Sequence, residues 1–173
     1  MSPQSIPKAT ALKRMLAFVY DLFLIIPLMM LMTLIWLPLN QGVAIEPGHP
    51  LYPLMITTCT IFTPIVFYTY FWHKGGQTLG MRSWRLRVVT TNGEALSPKT
   101  SATRAVLFVL AIAIAFFGIN YAIGVQWTTA AMIPMASALL ALYGLGMAFF
   151  KNRTTFYDLW TQTRVVQLPK TKK

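Results

Sequence analysis

Four long apolar segments set the terms on which this chain can fold. They run from about Met15 to Leu39, Leu51 to Trp72, Ala105 to Val125 and Ala130 to Phe150. A hydrocarbon core of ~30 Å is crossed by ~20 helical residues, so each segment is long enough to span one. No water satisfies backbone groups inside lipid, so each segment must satisfy its own and reads as a helix. The first apolar run is too long for the core of a signal peptide, and no small-residue cleavage site follows a short one. Composition agrees, since 11% of the residues are charged and 55% are hydrophobic, whereas soluble domains are roughly a quarter charged. The expected fold is an all-α membrane protein of four transmembrane helices, one domain over residues 1–173.

Charge placement orients these helices. Lys and Arg number fifteen against four Asp and Glu, a formal net charge of +11. On a soluble protein such an excess points to nucleic acid. Here every cation lies before the first segment, between the second and third, or after the fourth. The two other loops, Asn40–Pro50 and Gln126–Thr129, contain none. Cytoplasmic loops carry the Lys and Arg excess, so both termini, the loop 73–104 and the tail 151–173 are expected inside. The basic balance is thus a topology signal, with attraction to anionic lipid as a secondary effect. Trp36, Trp72 and Trp127 fall near helix ends, where interfacial aromatics belong.

The third and fourth segments carry matching rows of small residues. Ala111, Ala115, Gly118 and Ala122 are spaced 4, 3, 4, and Ser137, Ala141, Gly144 and Ala148 repeat that spacing. Such rows let helix backbones approach closely in lipid, so the two segments are expected to pack as an antiparallel hairpin. Pro27 and Pro64 each remove a backbone donor and predict kinks. The single cysteine, Cys59, lies in an apolar run and reads as an inert core residue.

Outside the spans, Asn92-Gly93 follows WRLRVV (Trp84 to Val89) and signals a hairpin, with Ala95 and Leu96 as the return strand. The tripeptide Arg87-Val88-Val89 recurs as Arg164-Val165-Val166, and its β-branched residues suit short strands. A small β-hairpin or loop cap at the cytoplasmic face is expected. The final PKTKK reads as a frayed basic tail.

Asp21 is the most unusual residue, an acid inside the first two turns of an apolar helix. An Asp at a helix centre costs ~2.5–3.5 kcal/mol, but Asp21 lies nearer the boundary. Arg14 is seven residues earlier, two turns and ~10.5 Å along the same helix face. It would have to lean against the usual tilt of helical side chains to reach Asp21. Arg104, opening the third segment, is an equally good partner. Two readings stay open: an ion pair that locks the first helix to its neighbours, or a carboxylate that binds a proton or a cation in turn. Asp158 also has two compatible readings. Thr155-x-x-Asp158 has capping-box spacing, and Asp158 can join a basic cluster around Arg14, Arg82 and Arg87.

Gly75-Gly76-Gln77-Thr78-Leu79-Gly80 lacks the Lys-Ser or Lys-Thr of a nucleotide loop and reads as a tight exit from the second helix into an interfacial segment. His49 and His73 fall on opposite sides of the membrane and cannot share a metal. No triad, ligand cluster or carboxylate pair is present in the sequence. No enzyme activity, cofactor or nucleic-acid partner is expected.

Taken together these positions resemble the RDD family of small bacterial membrane proteins, named for one arginine and two aspartates. Arg14 and Asp21, in KRMLAFVYD, fit the arginine and the first aspartate. Gly76 and the segment GQTLGMRSWRLRVV, with Gln77, Gly80, Arg82 and Arg87, resemble the family's most recognisable stretch. Asp158 in YDLWTQTRVV fits the second aspartate, with Thr163 at the usual threonine. Arg85 stands where the common form has glycine, and Tyr157 where histidine is frequent. The resemblance spans about Lys13 to Val166. It implies a multi-pass protein of the bacterial inner membrane, with cation–proton antiport proposed for some members. Two functions follow as expectations. One is exchange of protons and a monovalent cation at Asp21, in a homo-oligomer, along a route to which Thr57, Thr60 and Asn120 contribute. The other is a non-transporting scaffold or assembly factor that docks partners or lipid through its basic face.

Overall fold

The computed structural model describes residues 7–124, 139, 142–144, 146–147 and 154–169. The first helix, α1, runs Ala11–Leu34 and ends in a 3-10 turn at Pro38–Asn40. The second apolar segment is one helical stretch in three parts: α2 (Tyr52–Thr57), a π-turn (Thr58–Phe62) and α3 (Thr63–Gly75). A short α4 (Leu79–Ser83) and strand β1 (Leu86–Thr90) follow. Then come α5 (Pro98–Gly124), α6 (Phe156–Trp160) and strand β2 (Thr163–Gln167). The stretches Ala11–Asn40, Tyr52–Gly75 and Pro98–Phe116 are long and apolar enough to cross a membrane. Most of the fourth segment, and with it most of the second row of small residues, lies outside the described residues. In the third segment Ala111, Ala115 and Gly118 are buried, and Gly144 of the fourth is buried against Phe156.

On α1 only Ala17, Asp21 and Ile25 are buried, one stripe at four-residue spacing. Large apolar residues such as Phe23, Met30 and Leu31 stand exposed around it. That pattern suits a helix facing lipid on most sides. The proline in α1, Pro27, lies within a continuous helix. Pro64 has a local consequence of another kind. It has no N–H to give, and the turn before it widens, with the Thr63 N–H donating to Thr58 O. The hydroxyls of Thr60 and Thr63 also return to backbone carbonyls, Ile56 O and Thr58 O. Prolines free carbonyls in this way and π-turns absorb the mismatch.

Helix α5 begins at Pro98, seven residues before the apolar run, because Ser97 caps it: its Oγ accepts from Thr100 N–H at 3.1 Å. This early start undoes the expected hairpin. Asn92-Gly93 does turn the chain, with Gly93 N–H donating to Thr90 O. However, Ala95 and Leu96 lead straight into the α5 cap and form no return strand. β1 pairs instead with β2, antiparallel, with Val88 opposite Val165. The N-terminal segment joins the far edge of β2 through a bridge from Lys8 to Val166 and a bond from Ala9 N–H to Val165 O. Three remote parts of the chain therefore build one cap over the Arg14 end of the helices.

Candidate functional site

Arg14, Ala17, Asp21 and Ile25 share one face of α1, which is turned toward the cap and α3. Arg14 and Asp21 lie on the same face, as their seven-residue spacing requires, but they do not pair with each other. The Arg14 guanidinium reaches Asp158, Nη1 to Oδ2, at 2.6 Å. Arg104 approaches the same carboxylate from α5, Nη2 to Oδ1, also at 2.6 Å. Asp158 is held in place by its own helix start. Its Oδ2 accepts from Thr155 N–H at 3.0 Å while Thr155 Oγ1 accepts from Asp158 N–H, a complete capping box.

Arg104 is 1% exposed, and its guanidinium has partners on several sides. Trp72 and Tyr157 lie on its faces, each ring centroid 4.9 Å away, and it donates to the Thr163 hydroxyl. A desolvated guanidinium over an aromatic face gains about 2 kcal/mol. Burial pushes the Asp158 carboxyl up, but the charges of Arg104 and Arg14 outweigh it and hold the group below its ordinary 3.8. The Tyr157 phenol is pushed up, first by burial and then by the Asp158 charge.

Asp21 is also buried, and its partners are neutral. Oδ2 accepts from the Thr78 hydroxyl at 2.7 Å, and Oδ1 accepts from the Gly80 N–H at 2.9 Å. Neither expected arginine pairs with it, because both converge on Asp158 instead. The loop motif explains this geometry. Gly76 caps α3 in the left-handed conformation, φ 66°, and its carbonyl accepts from Val88 N–H at 2.7 Å. The Gln77 side chain donates to Leu86 O at 2.6 Å. Thr78 then starts α4, its Oγ1 accepting from Met81 N–H. Gly80 lies so close to α1 that a Cβ there would strike Ala17 O and sit 2.8 Å from Asp21 Oδ1. The segment thus delivers two donors to Asp21 and presses α4 onto α1.

Arg82 and Arg87, expected beside Asp158, are exposed on the cap. α4 and β1 turn these two side chains outward, away from Asp158. Trp72, expected at the interface, is 5% exposed and stacks on Arg104. Sequence reasoning missed Thr78, Tyr68 and the buried role of Trp72. Thr78 left one signal, a hydroxyl three residues before Met81 at the start of a short helix.

Beside Asp21 lies a cavity of about 70 Å³ lined by Arg14, Asp21, Tyr68, Trp72, Arg104 and Tyr157, with apolar walls from Phe18, Met81 and Phe108. All three name-giving candidates therefore converge here: Arg14 and Asp21 on the cavity wall, Asp158 behind the arginines.

A search of the curated proteins and a search of the solved structures each found no match. The model of the RDD family matches residues 8–162, so this chain, with its apolar helices and its Arg14, Asp21 and Asp158 gathered at one end of them, belongs to the RDD family.

Proposed function

We propose that this protein exchanges protons for a monovalent cation across the bacterial inner membrane, with Asp21 as the exchanging carboxylate. One observation carries this reading: Asp21 is buried in an apolar helix and is bonded to neutral donors, while the nearby arginines are engaged by Asp158. An ionisable residue inside a membrane segment is a functional group by default. Asp21 is also placed on a cavity, where a second species can reach it. The positive charges orient the cap and both termini toward the cytoplasm. Exchange needs access from the far side as well, which we assign to a homo-oligomer, because few of the expected route residues serve one chain. The Thr60 hydroxyl is taken by Ile56 O within its own helix, and Thr57 faces outward. Asn120 lies in α5, and its side chain lies outside the described residues.

A scaffold without transport is the second reading. The tight seat of Gly80 on α1 favours it, since Asp21 then serves to fasten α4. Exposed Arg82 and Arg87 would dock partners or anionic lipid. Ion flux in proteoliposomes separates the two. Wild-type protein is expected to move protons against a Na⁺, K⁺ or Li⁺ gradient, and Asp21→Asn is expected to abolish that movement. Absence of flux from wild type under all three gradients sinks exchange and leaves the scaffold.

A further inference from the structure

The cavity beside Asp21 has walls that a dry interior does not tolerate. Tyr68 Oη, Trp72 Nε1 and Arg104 Nε are buried without a hydrogen-bond partner among the described residues. Their residues are 3%, 5% and 1% exposed. Each buried polar group left unmatched costs about 1–3 kcal/mol, and the three residues that carry them line the same space. Asp21 faces it too, and each of its oxygens accepts one bond and retains a free lone pair. The space of about 70 Å³ compares with ~10–15 Å³ for the centre of one water, which also needs two to four polar partners. It therefore suits a few waters and excludes an organic ligand.

Charge selects the same occupant. With Asp21 ionised, it and Asp158 behind the wall balance Arg14 and Arg104, leaving no net charge around the cavity. A resident anion would face Asp21, and a cation, held only by Asp21 in exchange for its proton and opposed by two guanidinium groups, passes through rather than stays. Water donates to the carboxylate and accepts from the indole, phenol and guanidinium. A second groove, lined by Ile26, Pro27, Met29, Leu34 and Thr60 among others, has no carboxylate, guanidinium, indole or phenol. Among the polar residues lining the cavity Arg14 is the most exposed, its side chain at 12% against 2% for Arg104, so the polar mouth is placed there.

We propose that this cavity is a hydrated chamber, holding a few waters hydrogen-bonded to Tyr68, Trp72, Arg104 and Asp21, through which Asp21 exchanges its proton with solvent past Arg14. The proton path rests on the exchange reading above, whereas the water site does not.

Hydroxyl-radical footprinting of the full chain in lipid nanodiscs tests it, because radicals form at bound water. After correction for intrinsic reactivity, Tyr68, Trp72 and Met81 should be modified at least several-fold faster than Phe67, which is comparably buried but off the cavity. Trp72→Phe, which removes one water partner, should lower modification of Met81. Tyr68 and Trp72 protected as fully as Phe67 in wild type would overturn the chamber, whatever the variant does. Flux measured on the same preparation keeps the two ideas apart. Labelling without flux leaves the chamber and sinks exchange, and flux without labelling does the reverse.

Discussion

Asp158 faces two guanidinium groups at 2.6 Å and a capping N–H, whereas Asp21 faces a hydroxyl and an amide. The difference fixes which substitutions couple. Removing one member of a buried pair leaves an uncompensated charge and costs about 3–5 kcal/mol. Asp158→Asn strands two arginines, so it should lower the melting temperature more than Arg14→Gln, whose partly exposed site lets solvent in. In a double-mutant cycle Arg14 and Asp158 should couple by ~0.5–3 kcal/mol, as contacting residues do, and Arg14 and Asp21 by clearly less. The reverse ranking would restore the direct Arg14–Asp21 pair. Arg104→Lys should behave as a loss, since a lysine keeps the charge but not the stack on Trp72 and Tyr157. The Asp158 carboxyl lies lower in the folded chain than its ordinary 3.8, so the unfolded chain binds the proton more readily. Its contribution is then fully present above about pH 4–5 and is lost as acid carries the pH down through the folded value. Thermal scans of wild type beside Asp158→Asn should show a constant gap from neutral pH to about 5, closing only below about 4.

Elements in the cap meet through backbone more than through side chains. The seat of α4 on α1 leaves no room at Gly80, and a methyl there must move the Ala17 carbonyl. Gly80→Ala should therefore separate α4 from α1, lower the melting temperature by several degrees and release Asp21 from both donors. Arg85 offers the opposite case. It holds φ 53° between α4 and β1, a region that costs a side-chain-bearing residue ~1–2 kcal/mol. Arg85→Gly should raise stability by ~0.5–1 kcal/mol, the saving less the added chain entropy of glycine, readable as a shift in detergent melting temperature. These elements also show what was legible in the sequence. The first three apolar spans were, because lipid imposes its requirement on every residue in turn. The capping box of Thr155 and Asp158 was, because both partners lie within one turn. The partner of β1 was legible only as a second strand-forming tripeptide, Arg164-Val165-Val166: Asn92-Gly93 signals a turn locally, but nothing local says that Ser97 opens a helix before a strand can return. The donors to Asp21 were not legible, since Thr78 is fifty-seven residues away and arrives only because Gly76 ends α3 where it does. An excess of nearby arginines made a salt bridge the natural expectation for Asp21. A second carboxylate, better surrounded, claimed them.

At the scale of the whole molecule, the cap itself constrains the topology. Ala9, Val88 and Val165 are tied by backbone pairing, so the N-terminal segment, the loop after α3 and the tail lie on one side. An even number of crossings must then separate Ala9 from β1, and β1 from β2. The stretches Ala11–Asn40 and Tyr52–Gly75 are long and apolar enough to be the first pair, and Pro98–Phe116 to be one member of the second. The proposed orientation, argued from the cations, puts the cap side in the cytoplasm. Reporter fusions at Gly93 and after Lys173 should both read cytoplasmic, and fusions at Gly48 and Gln126 should both read external. The Gln126 fusion is the most demanding, because it tests whether α5 crosses at all. If it reads cytoplasmic, α5 lies along or re-enters the membrane, and the expected fourth crossing goes with it. If Gly93 reads external, the cap faces away from the cytoplasm. Asp21 would then meet the opposite proton supply, and exchange would have to run from the outer face through the Arg14 mouth. Agreement at all four sites places Asp21 near the cytoplasmic boundary, where a carboxylate in a four-helix chain needs only a shallow aqueous path to one side and a partner subunit to complete the other.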